Sequence, residues 1–257
     1  MRFLGIDIGS TTSKCVLLED GQIAATSLVD SGVGTAGAGE AISRVLEPAG
    51  LGFDELDASA VTGYGRRSFE GAGFAPSELT CHALGASRLA PGIRTVIDIG
   101  GQDAKVILLS PQGRMTDFRM NDKCAAGTGR FLEVMARLLR LSLEELDALA
   151  LTAPAPAAIS STCTVFAESE VISQLSAGAD RAAVAAGIFR LAAVRTAALA
   201  KGGGFEKPVF FSGGCSRSRT LAKQLSQELG CPVQTHALSQ FAGALGAAIY
   251  ASEHSKS

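Results

Sequence analysis

Apolar residues along this chain fall into two textures. Short, nearly continuous apolar runs that end in or near glycine read as strands: FLGIDIG (3–9), KCVLLEDG (14–21), ASAVTGYG (58–65), TVIDIGG (95–101), KVILLSPQG (105–113), KPVFFSGGC (207–215) and the brief CPVQT (231–235). Longer stretches with helix-forming composition read as helices: EAISRVLEPAG (40–50), SELTCHALGASRLA (77–90), GTGRFLEVMARLLRLSLEELDALAL (127–151), TVFAESEVISQLSAG (164–178), an alanine-rich segment (181–201), TLAKQLSQEL (220–229) and FAGALGAAIYASEH (241–254). Strands alternate with helices, which predicts an α/β protein of two lobes with a mixed sheet in each.

Two of the strand segments are copies of one another. LGIDIGSTTSKCVLLEDG (4–21) and TVIDIGGQDAKVILLSPQG (95–113) each run strand, Asp-Ile-Gly, a small polar turn, Lys, and a second strand. Two apolar runs joined by a short glycine-bearing turn read as a β-hairpin. The spacing of 91 residues is too long for a solenoid repeat and suits a duplicated lobe. The expected division is 1–92 and 93–257, with the last helix free to pack back on the first lobe.

Tight turns of small residues leave backbone N–H groups unshielded, and such concavities accept phosphate oxygens. Gly9, Ser10, Thr11, Thr12 and Ser13 form one candidate cradle, and Gly100, Gly101 and Gln102 the other. Lys14 and Lys105 follow the turns and are expected to add positive charge. Asp7 and Asp98 precede them and are placed to hold Mg²⁺ or its waters. Two cradles facing across a cleft would take a triphosphate from both sides. FFSGGCSRS (210–218) ends a strand and opens a helix, so a base or sugar can lie against Gly213 and Gly214. Any one of these turns alone is an ordinary hairpin; three of them with a repeat point to nucleotide binding. The P-loop pattern G-x-x-x-x-G-K-[ST] does not occur.

Composition narrows the classes. At 257 residues and 47% hydrophobic, the chain has ample material for a core. A net charge of −2 calls for neither nucleic acid nor an anionic membrane, and the absence of Trp weakens aromatic stacking on bases. The N-terminus MRFLGIDIG reads as a strand rather than a signal peptide, and no run of 18 apolar residues occurs, so a cytoplasmic location is expected.

Six cysteines stand at 15, 81, 124, 163, 215 and 231, with no C-x-x-C pair. Cys124, in NDKCAAGTGR, and Cys163, in ISSTCTV, each precede a predicted helix; Ser160, Ser161 and Thr162 supply N-cap residues for the second. The positive end of a helix dipole favours a thiolate and would stabilise an anionic metal–sulfur cluster. Two thiolates are half of a Cys₄ set, which a two-fold dimer would complete. The plain alternative, that both are small buried hydrophobes, stays open on these grounds.

The DIGSTTSK, DIGGQDAK and SGG segments resemble the phosphate and adenosine motifs of the superfamily that includes actin, hexokinase and the heat-shock ATPase domains. That resemblance implies an actin-like ATPase fold, two ribonuclease H-like lobes with ATP–Mg between them. A closer resemblance covers nearly the whole chain. NDKCAAGTGRFLEVMA, ISSTCTVFAESEVISQLS, VTGYGRRSFEG (61–71), ELTCHALGAS (78–87), VIDIGGQDAKVI (96–107) and LSQFAGALGAAIYA (238–251) look like the ATP-dependent activators of 2-hydroxyacyl-CoA dehydratases.

The resemblance implies a homodimer with one 4Fe–4S cluster at its interface, held by Cys124 and Cys163 of each chain. It implies that the protein takes one electron from ferredoxin or flavodoxin and drives it, with ATP, into a separate dehydratase. Lowering the potential by about 30 mV costs about 0.7 kcal/mol for one electron. Gln102 is the candidate for orienting the attacking water, alongside Asp7 and Asp98 at the metal. Glu133 is read either as a ribose contact or as a solvated helix residue, with Gln240 a further nucleotide contact. Glu168 and Glu170 are expected on a solvated face. Rival readings are an activator of another iron–sulfur enzyme, of double-cubane or benzoyl-CoA reductase type, a small-molecule kinase on the same fold, and a non-catalytic ATP-binding module.

Overall fold

The computed structural model describes residues 1–160 and 163–255. The chain divides into two compact units, and neither is an uninterrupted stretch of sequence. The first comprises 1–93, 109–116 and 236–257, and the second 94–108 and 117–235.

In the first unit, β1 (Arg2–Ile8), β2 (Ser13–Glu19) and β3 (Gln22–Val29) form an antiparallel meander. The next strand, β4 (Ala58–Thr62), pairs parallel with β1, giving the order β3-β2-β1-β4. Successive side chains of a strand point to opposite faces. Leu4, Ile6 and Leu17 therefore pack with Ala41 and Val45 of α1 (Gly37–Leu46) on one face. Phe3, Val16 and Ala60 pack on the other, with Cys81 of α2 (Glu78–Leu89) and Ala244, Leu245 and Ala248 of the C-terminal helix Ala242–His254. Both faces are covered, which is why the β1 sequence is almost continuously apolar. This packing returns the C-terminal helix to the first unit.

The second unit repeats the meander in β5 (Thr95–Ile99), β6 (Ala104–Leu109) and β7 (Met115–Asn121). With β8 (Val209–Ser212), parallel to β5, and β9 (Val233–Gln234), the sheet order is β7-β6-β5-β8-β9. Its helices are α3 (Gly129–Leu138), α4 (Leu143–Leu151), α5 (Thr164–Ser176), α6 (Arg181–Gly203) and α7 (Arg219–Leu229); the C-terminal helix is α8. Phe131, Met135, Ile188, Phe189, Phe211 and Leu221 fill the core. Helix α6 contains an 18-residue window of mean hydropathy 1.5, enough by length and composition to cross a membrane, but 67% of that window is buried inside the protein.

Three expectations are corrected. Each copy of the repeat is a three-stranded meander rather than a hairpin. The third strand was hidden because β3 buries only Ser27 and Val29 and β7 is almost wholly exposed. The segment 127–151 is two helices, not one. Arg140 takes φ +56°, and Leu141 N–H donates back to Ala136 O, which ends α3. Ser142 then caps α4 in a reciprocal box with Glu145: Glu145 N–H donates to Ser142 Oγ at 3.1 Å and Ser142 N–H to Glu145 Oε2 at 2.7 Å. The strands at 207–215 and 231–235 shrink to four and two residues.

Ser142→Ala removes one half of this box and is expected to destabilise the protein by about 1 kcal/mol. A thermal or chemical unfolding shift measures it; an unchanged midpoint would mean that the box is idle.

Candidate functional site

The two Asp-Ile-Gly turns are built alike, each within its own unit. In the first, Asp7 pairs across the strands with Lys14 and Ile8 with Ser13. Gly9 N–H donates to Thr12 O at 2.9 Å, closing the turn. In the second, Asp98 pairs with Lys105, Ile99 with Ala104, and Gly100 N–H donates to Asp103 O at 2.9 Å. The tips, Thr11 and Gln102, are exposed, and Gly9, Ser10, Gly100 and Gly101 are half-buried. Each turn therefore presents backbone and small side chains at the end of a buried strand, the geometry expected of a phosphate cradle.

The lysines are less free than their sequence positions suggest. Lys14 is buried, with Nζ 3.7 Å from Asp7 Oδ2. Lys105 is buried between two carboxylates, 3.6 Å from Asp98 and 2.8 Å from Asp103. Burying such charges is tolerated when they are paired and hydrogen-bonded. Asp103, which the sequence reading passed over, thus offsets much of the positive charge expected from Lys105.

The repeat extends to the neighbouring parallel strand. Asp7 lies beside Thr62 and Asp98 beside Ser212, whose Oγ donates to Asp98 Oδ1 at 2.8 Å. The next residues, Gly63 and Gly213, both have φ +86°. A Cβ at Gly63 would sit 2.5 Å from Asp7 Oδ1, and one at Gly213 2.7 Å from Asp98 Oδ1. Only glycine fits against either carboxylate. VTGYG is thus the first-unit counterpart of FSGGC, a match visible in the sequence as a small hydroxyl residue followed by glycine at a strand end. Gly214 is exposed, with open space where a Cβ would stand.

A loop caps each turn. In the first unit Val33 N–H donates to Gly9 O at 3.0 Å. In the second, the first two amides of α3 do this: Gly129 N–H to Gly100 O at 2.9 Å and Arg130 N–H to Gly101 O at 2.7 Å. The connections from the third strand to these capping residues differ in length, 30–32 against 122–128, and the longer one carries Cys124.

Cys124 accordingly lies five residues before α3, not at its start. The positive end of α3 is occupied by the carbonyls of Gly100 and Gly101, so the helix-dipole expectation fails for this thiol. Asn121 grips Cys124 from both sides: its Oδ1 accepts from Cys124 N–H at 3.2 Å and its Nδ2 donates to Cys124 O at 2.9 Å. Cys163 is itself the N-cap residue of α5. The expected caps Ser161 and Thr162 lie outside the described residues. Ser160 instead donates from its N–H and Oγ to the Glu170 carboxylate, at 3.0 and 3.2 Å to Oε1. Glu170 therefore holds the segment that ends at Ser160 rather than merely facing solvent. Val165 and Phe166, beside Cys163, are 64% and 68% exposed.

The six cysteines sort by environment. Cys15 and Cys81 are buried, and burial pushes both thiols up to about 12. Cys215 retains some residue exposure, but its Sγ packs against Gly129, and burial followed by the charges of Asp98 and Glu133 raises it to about 12. Cys231 is buried, whereas Cys124 and Cys163 are exposed and unbridged. Two exposed thiols of one chain fit half of a four-cysteine iron–sulfur site.

The remaining expected residues are placed as follows. Glu133 is on α3 with Oε2 3.1 Å from Arg130. Gln240 is half-buried in the 3₁₀ turn Ser239–Phe241 before α8, in the first unit. Gly213, Gly214, Gly100, Gly101, Gln102, Asp98 and Glu133 all belong to the second unit.

Gly213→Ala forces a left-handed backbone and a contact with Asp98, and is expected to destabilise by about 1–3 kcal/mol. Gly214→Ala, in open space, should leave the melting temperature within about a degree. Equal melting shifts would refute this packing argument. Since a raised pKa keeps a thiol protonated at every pH below it, Cys15, Cys81 and Cys215 should resist alkylation from pH 7 to pH 10 in metal-stripped protein. Cys124 and Cys163 should be modified first, as peptide mass mapping would report.

The chain matches the model of the BadF/BadG/BcrA/BcrD ATPase family over residues 4–251. It is 52% identical over 250 residues to the (R)-2-hydroxyglutaryl-CoA dehydratase activating ATPase of Acidaminococcus fermentans, covering 96% of each chain. The crystal structure of the activator of the 2-hydroxyisocaproyl-CoA dehydratase from Clostridium difficile with bound ADPNP is similar at TM-score 0.97 and 43% identity, over 100% of this chain and 96% of that one. A ROK family glucokinase from Streptomyces griseus shares the fold at TM-score 0.60 and 16% identity, over 98% and 100% of the two chains. The duplicated meander, the two like-built glycine turns and a family match over residues 4–251 agree: the chain belongs to the BadF/BadG/BcrA/BcrD ATPase family, with the actin-like ATPase fold.

Proposed function

We propose that this protein is an ATP-driven activator of a 2-hydroxyacyl-CoA dehydratase, delivering single electrons to it. The observation that carries this reading is the 52% identity to a dehydratase-activating ATPase along 96% of both chains. The two exposed cysteines in the unit that holds the second phosphate turn support it.

In this reading the turns Gly9–Lys14 and Gly100–Gln102 bind the phosphates of ATP through backbone N–H groups. Asp7 and Asp98 orient Mg²⁺ or its waters, and exposed Gln102 orients the attacking water. Gly213, Gly214, Glu133 and Gln240 take the nucleoside. Positioning and charge neutralisation supply most of the rate in such phosphoryl transfers. Cys124 and Cys163 from each of two copies hold a 4Fe–4S cluster, which supplies one-electron chemistry when bound. Val165 and Phe166, apolar and exposed beside Cys163, are suited to cover by a second copy. Ferredoxin or flavodoxin is the electron donor, and the setting is cytoplasmic.

Anaerobic purification tests the reading. About four irons and four sulfides per dimer are expected, with ATP hydrolysis and ATP-dependent activation of a dehydratase. Cys124→Ala or Cys163→Ala should lose the iron while nucleotide binding persists. An iron-free protein that binds ATP under strict anaerobiosis would overturn the proposal.

A further inference from the structure

The two cysteine arms of the second unit are anchored to different parts of it. The Cys124 arm is tied to the sheet at its upstream end and to the phosphate turn at its downstream end. Upstream, it leaves β7, which sits beside β6, the strand that leads directly out of the Gly100–Asp103 turn. Asn121, the last residue of β7, then binds the backbone of Cys124 in both directions. Downstream, Thr128 Oγ and N–H both donate to Ala125 O, at 2.8 and 2.9 Å, which folds the segment into α3. The next two amides donate to the carbonyls of Gly100 and Gly101. A Cβ on Gly129 would lie 3.0 Å from Gly100 O and 3.3 Å from Gly101 Cα, so helix start and turn are in contact.

The Cys163 arm is held elsewhere. Ala157 N–H donates to Ala183 O of α6 at 2.8 Å. Ala157 O lies 2.5 Å, and Ile159 Cδ1 3.2 Å, from where a Gly187 Cβ would stand on the same helix. Gln174 Nε2 donates to Ala158 O at 2.6 Å, and Glu170 takes Ser160. These contacts fix the approach to Cys163 on the α5–α6 pair, whose buried residues belong to the core.

We infer that Asn121 is the positioning residue through which the state of the second phosphate turn reaches Cys124, and that Cys163 is the stationary arm. A shift of the Gly100–Gly101 carbonyls drags the first turn of α3 with it, and the Asn121 clasp converts that movement into a displacement of the Cys124 backbone. Within one chain the spacing of the two sulfurs then follows the nucleotide through one arm only. This inference rests on the proposed nucleotide role of the turn.

Hydrogen exchange read by mass spectrometry on the anaerobic holoprotein, with and without Mg²⁺ and a non-hydrolysable ATP analogue, separates the two ideas. The analogue should slow exchange in peptides covering 98–104 and 121–130 by about tenfold, and leave 155–160 unchanged. In Asn121→Ala the slowing at 98–104 should persist while that at 121–126 is lost. Asn121→Asp, which keeps the acceptor and drops the donor, should restore part of it. The nucleotide-dependent shift of the cluster's reduction potential should shrink in the same order, a response that general loosening of an exposed loop would not rank.

No change at 98–104 in the parent protein defeats the nucleotide reading itself. Slowing at 98–104 with an equal response at 155–160, or an undiminished response in Asn121→Ala, defeats this inference alone. If Asn121→Ala fails to fold, the parent comparison of 121–130 with 155–160 and the Asn121→Asp variant still decide.

Discussion

A buried carboxylate at the end of a central strand sets the terms for each unit. Asp98 is 1% exposed and is accommodated because Lys105, Ser212 Oγ and the bare backbone of Gly213 surround it. A carboxyl so deep requires polar partners around it. That requirement fixes a lysine across the hairpin, a hydroxyl on the parallel strand and a glycine with positive φ after it. The adjoining turn opens on two glycines, Gly100 and Gly101, which are half-buried. Asp7, Lys14, Thr62 and Gly63 occupy the corresponding places in the first unit.

From that constraint the second unit reaches Cys124 through backbone and side-chain hydrogen bonds. The turn carbonyls satisfy the first amides of α3, which would otherwise be orphaned. The same bonds that complete the helix thereby register the Cys124 loop against the turn. The Cys163 segment is satisfied by a different set of partners, Glu170, Gln174 and α6. One helix start is thus bonded to the Gly100–Gly101 turn, and the segment before the other is held by α5 and α6.

Much of this was legible in the sequence because it depends on local signals. The repeat, the Asp-Ile-Gly turns and the glycine pair at 213–214 are each set by a few adjacent residues with strong conformational demands. The third strand of each meander was not legible, since an edge strand such as β7, exposed along most of its length, carries no alternation to read. The break between α3 and α4 was written in Ser142 and Glu145, but a long apolar helical pattern outweighed it. Asp103 and Asn121 were missed for another reason: their roles are set by partners two or three residues away in a folded turn, and no periodicity reports that. Thr62-Gly63 was overlooked as the counterpart of Ser212-Gly213 because a hydroxyl–glycine pair is too short a signal to stand out until the strand register aligns the two.

The unequal connections at 30–32 and 122–128 bear on how such a molecule could arise. Loop-closure entropy grows only with the logarithm of length, so lengthening the connection costs the fold about 0.7 kcal/mol. Both ends of that connection are already pinned, one by a strand and the other by the turn it caps. After duplication, one copy could therefore accept extra residues there without disturbing its sheet or its carboxylate. The Cys124 loop is in that sense a small addition: it needed room at a junction that the architecture had already made tolerant.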